Sequence, residues 1–453
     1  MSAPIALPAA RHQRRLHLSC ARSVAILALT LVAAKLSLAQ DTAGHDAVRS
    51  TTMGGDSAMG GMDSMPSMTF GGIPGTRDAS GTAWQPDATP MHAHHFMAGD
   101  WTAMAHYNVF AGYDHQSGGR GDDQVNSINW FMLMATKRSG ENDLTFRGMF
   151  SLEPWTTTTR GYPLLFQSGE SYQGQPLVDR QHPHDFFMEL AARYRRALAD
   201  QTVVSLYVAP SGEPALGPPA FPHRMSAMDN PAAPISHHWL DSTHISFGVL
   251  TAGLIRRTWQ IEGSWFNGRE PDEHRWNIDL AKPDSYSGRI TWNPTPEWSG
   301  QISVGHLKSP EELHSDEDVW RTTASVMHLK KLGEQRHVAT TLGWGVNDTN
   351  HGSSQAYVLE SSLTSESLTV FGRVEYVEKT GEELALEPSD RKYGVSQWSL
   401  GASRELVRRR PWQLALGGAL SYSAAPRSLD ALYGEHPIGF WIFLRLRPAA
   451  MEH

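Results

Sequence analysis

From Trp101 onward, the chain is a succession of short segments in which apolar and polar residues alternate one by one. In the segment from Trp412 to Tyr422, one face reads Trp, Leu, Leu, Gly, Leu, Tyr and the other reads Gln, Ala, Gly, Ala, Ser. The segments 368–376 and 259–265 repeat the pattern, and aromatic residues stand at the ends of the apolar faces. Because successive side chains of a strand point to opposite faces, each segment predicts a β-strand with one apolar face.

The links between these segments alternate in length. The predicted strands span 100–112, 124–137, 142–154, 184–197, 200–210, 243–255, 257–268, 284–293, 297–308, 318–331, 335–347, 353–363, 366–378, 391–405, 410–424 and 437–448. Short links such as Lys137–Glu141 alternate with long ones such as 156–183 and 211–242. Short turns at one end and long loops at the other are typical of an outer-membrane barrel, and an even strand number lets the sheet close. The sequence therefore predicts an all-β transmembrane antiparallel barrel of about 16 strands, with short periplasmic turns and long outer loops.

Composition agrees with this prediction. The chain is only 40% hydrophobic, yet it carries 15 Trp, 12 Tyr and 15 Phe among its 453 residues. A transmembrane barrel reconciles these numbers, because alternate residues face lipid and water while aromatic residues line the two interfaces. No segment after residue 39 is apolar for long enough to predict a transmembrane helix. A net charge of −8 without any basic tract argues against a nucleic-acid partner.

The N-terminus predicts export. Arg11, Arg14 and Arg15 precede the apolar stretch 23–39, which ends in Ser-Leu-Ala. This arrangement is typical of a cleaved signal peptide; the alternative, an anchoring helix, is disfavoured because Lys35 interrupts the stretch. The only cysteine, Cys20, lies within this signal, so the mature chain is expected to have neither disulfides nor thiolate sites.

Four regions follow from these patterns: a signal peptide over 1–39, a disordered periplasmic arm over 40–97, a barrel over 98–448 and a tail over 449–453. The barrel region resembles the bacterial porin family in its architecture. This resemblance implies a location in the outer membrane of a Gram-negative bacterium. In contrast to many such barrels, the chain continues past its last predicted strand instead of ending on a terminal aromatic residue.

The arm is rich in Gly, Ser, Asp, Met and His. Methionines recur at every third position, at Met59, Met62, Met65 and Met68, and His92, His94 and His95 follow them. An arm of this composition has little to bury, so disorder is expected. Thioethers at short spacing can bind Cu(I), and the stretch 45–97 resembles the Met/His-rich preamble of the copper-resistance outer-membrane protein B family. The alternative is compositional drift in a linker.

The long link 211–242 is a second candidate metal site. It is rich in proline, and in porins of this strand count the third outer loop commonly folds into the barrel and narrows it. Imidazole with thioether suits copper, whereas imidazole with carboxylate suits zinc or nickel. The alternative is a polar loop surface. The candidate ligands are His223, Met225, Met228, His237 and His238, with His182 and His184 from the preceding long link.

The inward face of the predicted barrel carries arginines. Guanidinium groups across a water-filled pore would favour anions. The alternative is that they pair with inward acids and stiffen the wall. The predicted lumen residues are Arg147, Arg193, Arg195, Arg289, Arg321, Arg373, Arg445 and Arg447, with Glu189, Glu262 and Glu375.

Three functions follow as hypotheses. The first is copper binding, resistance or transport, with copper as the possible bound metal. The second is a general or anion-selective porin, and the third is a surface receptor or structural barrel. Expected partners are outer-membrane lipid, a metal ion or small anionic solute, and periplasmic metal-efflux components. No Ser/His or Asp/His motif predicts an enzyme.

Overall fold

The computed structural model describes residues 69–199, 201–409 and 411–450. Sixteen long antiparallel strands, numbered β1 to β16 in chain order, form a closed barrel in which β16 pairs with β1. The strands are Trp101–Gln116, Asp123–Ser139, Asn142–Phe150, Phe187–Ala199, Thr202–Gly212, Ser246–Arg256, Trp259–Asn267, Ser285–Trp292, Trp298–Lys308, Asp318–Gly333, Arg336–Thr349, Gly352–Ser365, Leu368–Thr380, Lys392–Arg409, Trp412–Ala424 and Ile438–Pro448. The predicted all-β barrel is confirmed, and each predicted strand overlaps an observed one.

Shorter elements lie in the segment before β1 and in the long loops. One strand, His94–Ala98, pairs with the first residues of β1. The others are the strands Thr69–Phe70, Ile73–Pro74, Tyr162–Pro163, Glu170–Tyr172, Gln175–Leu177 and Arg180–Gln181, the α-helices Glu153–Thr156, His237–Leu240 and Asp430–Tyr433, and the 3-10 helices Gly75–Arg77, Phe221–His223, Ser242–His244, Glu312–His314 and Arg427–Leu429. Within the described ranges, no helix combines the length and apolar character needed to cross a bilayer.

The outward face of the barrel is apolar. Ile261, Ile290 and Ile302 lie side by side on β7, β8 and β9, and Ile302 is 66% exposed. Aromatic side chains flank this row on the outside, with Trp265, Tyr286 and Trp320 towards one end and Trp292 and Trp298 towards the other. In water such a continuous apolar surface would associate, whereas in a bilayer it contacts lipid. The barrel is therefore an outer-membrane barrel.

The two ends of the barrel differ. The turn end carries the short links 140–141, 200–201, 257–258, 293–297, 334–335, 366–367 and 410–411. The loop end carries 117–122, 151–186, 213–245, 268–284, 309–317, 350–351, 381–391 and 425–437. The predicted alternation of long and short links holds, and the outer loop predicted to be shorter around 348–352 is the link 350–351 between β11 and β12.

The lumen at the loop end contains a hydrophobic core. Tyr162 and Phe166 of one long loop and Trp239 of another pack with Phe371 and Phe443, which point inward from β13 and β16. These side chains point away from the lipid, so they avoid water by packing against one another inside the barrel. The loop 213–245, called the inner loop here, is almost entirely buried, so the expectation that it folds into the barrel agrees with its position.

The segment 69–98, called the inner segment here, differs from the prediction of a disordered arm over 40–97. Within it, the Arg77 guanidinium lies 2.7 Å from Asp87 and stacks on the Trp84 ring, and the side chains of Arg77 and Trp84 are buried. The segment is ordered because its polar groups bind lumen residues that lie far away in the sequence. The composition of the segment alone does not reveal such partners. Residues 1–68, including the predicted signal peptide and the Met59, Met62, Met65 and Met68 repeat, lie outside the described residues, as do residues 451–453 of the predicted tail.

Candidate functional site

The inward arginines of the wall are buried and face carboxylates. Arg289 lies 3.0 Å from Glu262 on the neighbouring strand, and Arg147 lies 3.5 Å from Glu189. Arg373 lies 3.3 Å from Glu360. These arginines therefore lie in ion pairs along the wall and do not form a row of unpaired guanidinium groups.

Two further arginines bind the inner segment. Arg193 and Arg195 of β4 lie 2.7 and 3.4 Å from Asp78, and Arg195 also lies 3.1 Å from Asp143 of β3. Burial opposes ionisation of Asp78, but the two guanidinium groups hold the pKa of that carboxyl below its usual value. Sequence reasoning missed Asp78, because nothing in a Gly/Ser-rich segment indicates that one carboxylate enters the barrel.

The inner loop is bound to the opposite wall by the same chemistry. Arg445 and Arg447 of β16 both contact Asp229, the latter at 3.1 Å. Arg224 lies 2.7 Å from Glu360 and 2.5 Å from Asp241. Removing one partner of such a buried pair typically costs about 3–5 kcal/mol, so these contacts fix the loop in the lumen.

Two predicted lumen residues bind the inner loop through hydrogen bonds. Glu375 of β13 accepts hydrogen bonds from the backbone N–H and hydroxyl of Ser236, at 3.0 and 2.7 Å. Arg321 of β10 donates to the hydroxyl of Ser242 at 2.8 Å and to Asn347. The inner loop is thus attached to strands on several sides of the barrel.

The inner segment and the inner loop also contact each other. The backbone N–H of Ala220 donates to the Ser80 hydroxyl at 2.8 Å, and Gly81 has φ +51°. A Cβ atom at Gly81 would lie 2.7 Å from the Cβ atom of Glu213, so the close approach requires glycine. Burial raises the pKa of Glu213 to about 8, although Arg289 lowers it.

Two large recesses lie among the described residues of the lumen. The chamber, at the turn end, has a volume of about 170 Å3 and is lined by the inner segment, β1, β2 and the inner loop. The vestibule, at the loop end, has a volume of about 840 Å3 and is lined by the long loops. Among the described residues, none lines both recesses.

The chamber combines thioethers with imidazoles. Rings of His106 and His223 lie 6.3 Å apart, and Trp130 packs on both. The Nε2 atoms of the two histidines are buried without a hydrogen-bond partner. Burial lowers the pKa of His223 to about 3, so that ring is neutral at pH 7. The other sulfur and imidazole side chains of the lining are Met91, Met104, Met132, Met134, Met225, Met228, His92 and His95.

The structure therefore separates the predicted metal ligands into two groups. His92, His95, His223, Met225 and Met228 come together in the chamber. His94, by contrast, lies near the Tyr107 ring and is not part of that lining. Sequence reasoning missed His106, Met104, Met132 and Met134, because a strand with alternating residues shows which side chains point inward but not which loop they meet.

The second group lies beneath the vestibule, and each member has a carboxylate partner. His182 contacts Glu170 at 2.8 Å and His184 contacts Glu153 at 2.9 Å. His237 contacts Asp241 at 2.8 Å and His238 contacts Glu270 at 3.1 Å. Over the ranges that the structure describes, no group of three or more His, Cys, Asp or Glu side chains is arranged to hold a metal ion.

The vestibule is strongly acidic. Burial and the neighbouring Glu170 raise the pKa of Glu270 to about 8, and burial and Glu270 likewise raise the pKa of Glu311. Such shifts occur where carboxylates crowd together and resist ionising at the same time. Its basic lining residues are Arg269, Arg321 and Lys392, against the acids Glu170, Glu270, Asp272, Asp279, Glu311, Glu312, Glu317, Glu382, Glu383 and Asp390.

Phe221 packs against the histidines beneath the vestibule. The ring of Phe221 lies 5.3 Å from that of His237 and 6.2 Å from those of His184 and His244. Two residues further along the same 3-10 helix, His223 lines the chamber. Phe221 is 4% exposed and belongs to the hydrophobic core at the loop end, so it is one of several apolar side chains between the acidic vestibule and the chamber of thioethers and imidazoles.

The chain matches no family model and no curated protein. Similar solved structures include an anion-selective porin from Comamonas acidovorans, with 11% identity, a TM-score of 0.47, and coverage of 77% of this chain and 99% of that chain. OmpT, an outer-membrane protein of Vibrio cholerae, shows 8% identity, a TM-score of 0.45 and coverage of 78% and 99%. OpdQ of Pseudomonas aeruginosa shows 6% identity, a TM-score of 0.40 and coverage of 78% and 98%. The strand pairing of this chain itself establishes the fold, which is that of a porin-like outer-membrane β-barrel.

Proposed function

We propose that this protein is a restricted channel of the outer membrane that accepts small cations at its loop end. The observation that carries the proposal is the acidic vestibule, which stands above a lumen narrowed by the inner loop and the inner segment. Carboxylates around an opening raise the local concentration of cations and exclude anions. Transport by such a pore needs no catalytic residue, so we expect no enzymatic activity.

The anion-selective alternative has weaker support. It depends on guanidinium groups that remain available to a solute, and Arg147, Arg289 and Arg373 instead lie beside carboxylates of the wall. A buried charge that already has a partner contributes little field to a passing ion. The charge of the lining therefore favours cations at the loop end.

Handling of a soft metal such as copper is the second candidate function. It is favoured by one observation, the gathering of thioethers and imidazoles from four parts of the chain in the chamber. A cation that entered through the vestibule at the loop end would reach this chamber towards the turn end. The two functions are compatible, because the first is the passage of small cations and the second identifies a soft metal as one cation that passes. Periplasmic metal-efflux components remain a proposed partner on this second function alone.

Reconstitution of the purified full-length protein in a planar lipid bilayer tests the channel. We expect small, rare conductance steps, and a zero-current potential in a KCl gradient that shows a preference for K+. Large, stable currents with a preference for Cl− would contradict both the restriction and the charge argument. The absence of any current, in the native chain and in the variant Phe221→Gly, would instead favour a receptor or structural barrel.

A further inference from the structure

We propose that the chamber binds a soft monovalent cation, Cu(I) or Ag(I), between the imidazoles of His106 and His223, with methionine thioethers completing its surroundings. The proposal deepens the second function above and rests on it. The site joins a barrel strand to the inner loop, and nothing in the separate sequence segments indicates that these two histidines meet.

The first argument is the state of the two imidazoles. The Nε2 atoms of both rings are buried and lack a hydrogen-bond partner. A buried polar atom without a partner is costly, so the pair would gain from a ligand. Buried Nε2 atoms without a partner also occur at His184 and His244, but the chamber places such atoms among thioethers. Metal ions are the ligands that bind a neutral imidazole nitrogen most strongly.

The second argument is distance. Metal–imidazole bonds are about 2 Å long, so a roughly linear N–metal–N arrangement places the two ring centres about 6 Å apart. The observed separation between His106 and His223 is 6.3 Å. The chamber volume of about 170 Å3 leaves room for an ion and its surrounding side chains. The separation of the two rings therefore matches the one that a bridging ion requires.

The third argument is the choice of neighbours. Six methionines line the chamber: Met91 from the inner segment, Met104 from β1, Met132 and Met134 from β2, and Met225 and Met228 from the inner loop. Leucine would fill the same volume with a better-defined shape, so packing alone does not explain the repeated use of methionine. Thioethers are soft ligands that select Cu(I) over hard cations.

The charge around the chamber decides between ions. Arg138, Arg147, Arg193 and Arg195 line it and would repel a cation if they were unpaired. Their partners are three carboxylates, those of Asp78, Asp143 and Glu189. Because arginines already engage these carboxylates, the chamber disfavours a hard divalent ion that needs several carboxylates and suits a monovalent ion with neutral ligands.

Titration of the purified full-length protein with Ag(I), and with Cu(I) under reducing conditions against a coloured Cu(I) chelator, tests the site. The native chain is compared with His223→Gln and with the double variant Met225→Leu/Met228→Leu. The double variant keeps the volume of the two apolar side chains, so it still tests the site if the histidine variant fails to fold. His351→Gln, which alters an exposed loop histidine, is the matched control.

We expect both chamber variants to lose one equivalent of tightly bound metal and His351→Gln to lose none. A fourth variant, with leucine at Met59, Met62, Met65 and Met68, should keep that equivalent, which separates the chamber from the arm. X-ray absorption of the loaded protein should show both nitrogen and sulfur neighbours. Unchanged stoichiometry and affinity in both chamber variants would overturn the site, whereas the bilayer currents test the channel independently of it.

Discussion

The vestibule and the chamber both contain histidines, but the partners of those histidines differ. Beneath the vestibule, His182 and His237 bind Glu170 and Asp241, so their imidazoles are already engaged by the protein. In the chamber, the Nε2 atoms of His106 and His223 have no such partner, and sulfur atoms take the place of carboxylates. The comparison teaches that the residue type does not decide the chemistry of a lumen. The neighbours contributed by other strands and loops decide it.

Removal of a large buried ring between the recesses should have the largest effect. Phe221→Gly removes a ring that packs against the histidines beneath the vestibule, two residues before His223 of the chamber, so we expect the single-channel conductance to rise several-fold while the K+ preference persists. Phe166→Leu, which alters another buried ring of the same hydrophobic core, serves as the control and should leave the conductance small. Equal conductance in the native protein and in Phe221→Gly would show that the two recesses are not joined through this position.

Loss of one carboxylate should open the chamber from the turn end. Asp78→Asn leaves Arg193 and Arg195 buried without this partner, and docking of the inner segment should weaken by about 3–5 kcal/mol. The measurement is the rate at which a protease cleaves the inner segment in the detergent-solubilised protein. Asp100→Asn alters an exposed pair with Lys137, for which about 0.2–1 kcal/mol is expected. The same cleavage rate in both variants would contradict the role assigned to Asp78.

Neutralisation of the vestibule should change selectivity more than conductance. Glu317→Gln combined with Asp390→Asn removes two charges from its lining, so we expect a modest shift of the zero-current potential towards that of a nonselective pore. Asp316→Asn alters an exposed acid of the same loop outside the lining and should produce no shift. A stronger cation preference in the double variant would refute the proposed role of the vestibule.

The smallest expected effect is a dependence on pH at the contact between the inner segment and the inner loop. Since the pKa of Glu213 is raised to about 8, its charged form is disfavoured in the docked state. Docking is therefore strongest below the ordinary pKa of a glutamate and weakens as pH rises towards 8, after which it stays constant. Asp78 has the opposite effect on the pH dependence of docking. Its pKa is lowered in the docked state, so this carboxyl weakens docking only at acid pH, where it becomes protonated.

Protease cleavage of the inner segment, measured from pH 5 to pH 9, should show this trend. The rate should increase with pH in the native chain and stay nearly level in Glu213→Gln, after correction for the activity of the protease on an unfolded peptide. An identical rise in both chains would assign the pH dependence to another group.

The barrel itself could be predicted because its signal is local. Alternation within a strand such as Trp412–Ala424 depends on neighbours two residues apart, and the lengths of the links show where strands end. The inward position of Arg289 and Glu262 followed from the same alternation. Their pairing across adjacent strands at 3.0 Å also required the register, which alternation alone does not give.

The contents of the lumen could not be predicted in the same way. The Asn108 side chain donates to the backbone carbonyl of Met228, 120 residues further along the chain, and contacts of this kind assemble the chamber. Asp78 likewise becomes a lumen residue only because two distant arginines bind it. Sequence alone thus determined a closed barrel with apolar residues towards lipid, since each strand carries that pattern in its own residues. Tertiary structure decided what fills the barrel, because the groups that satisfy one another there come from segments that no local pattern relates.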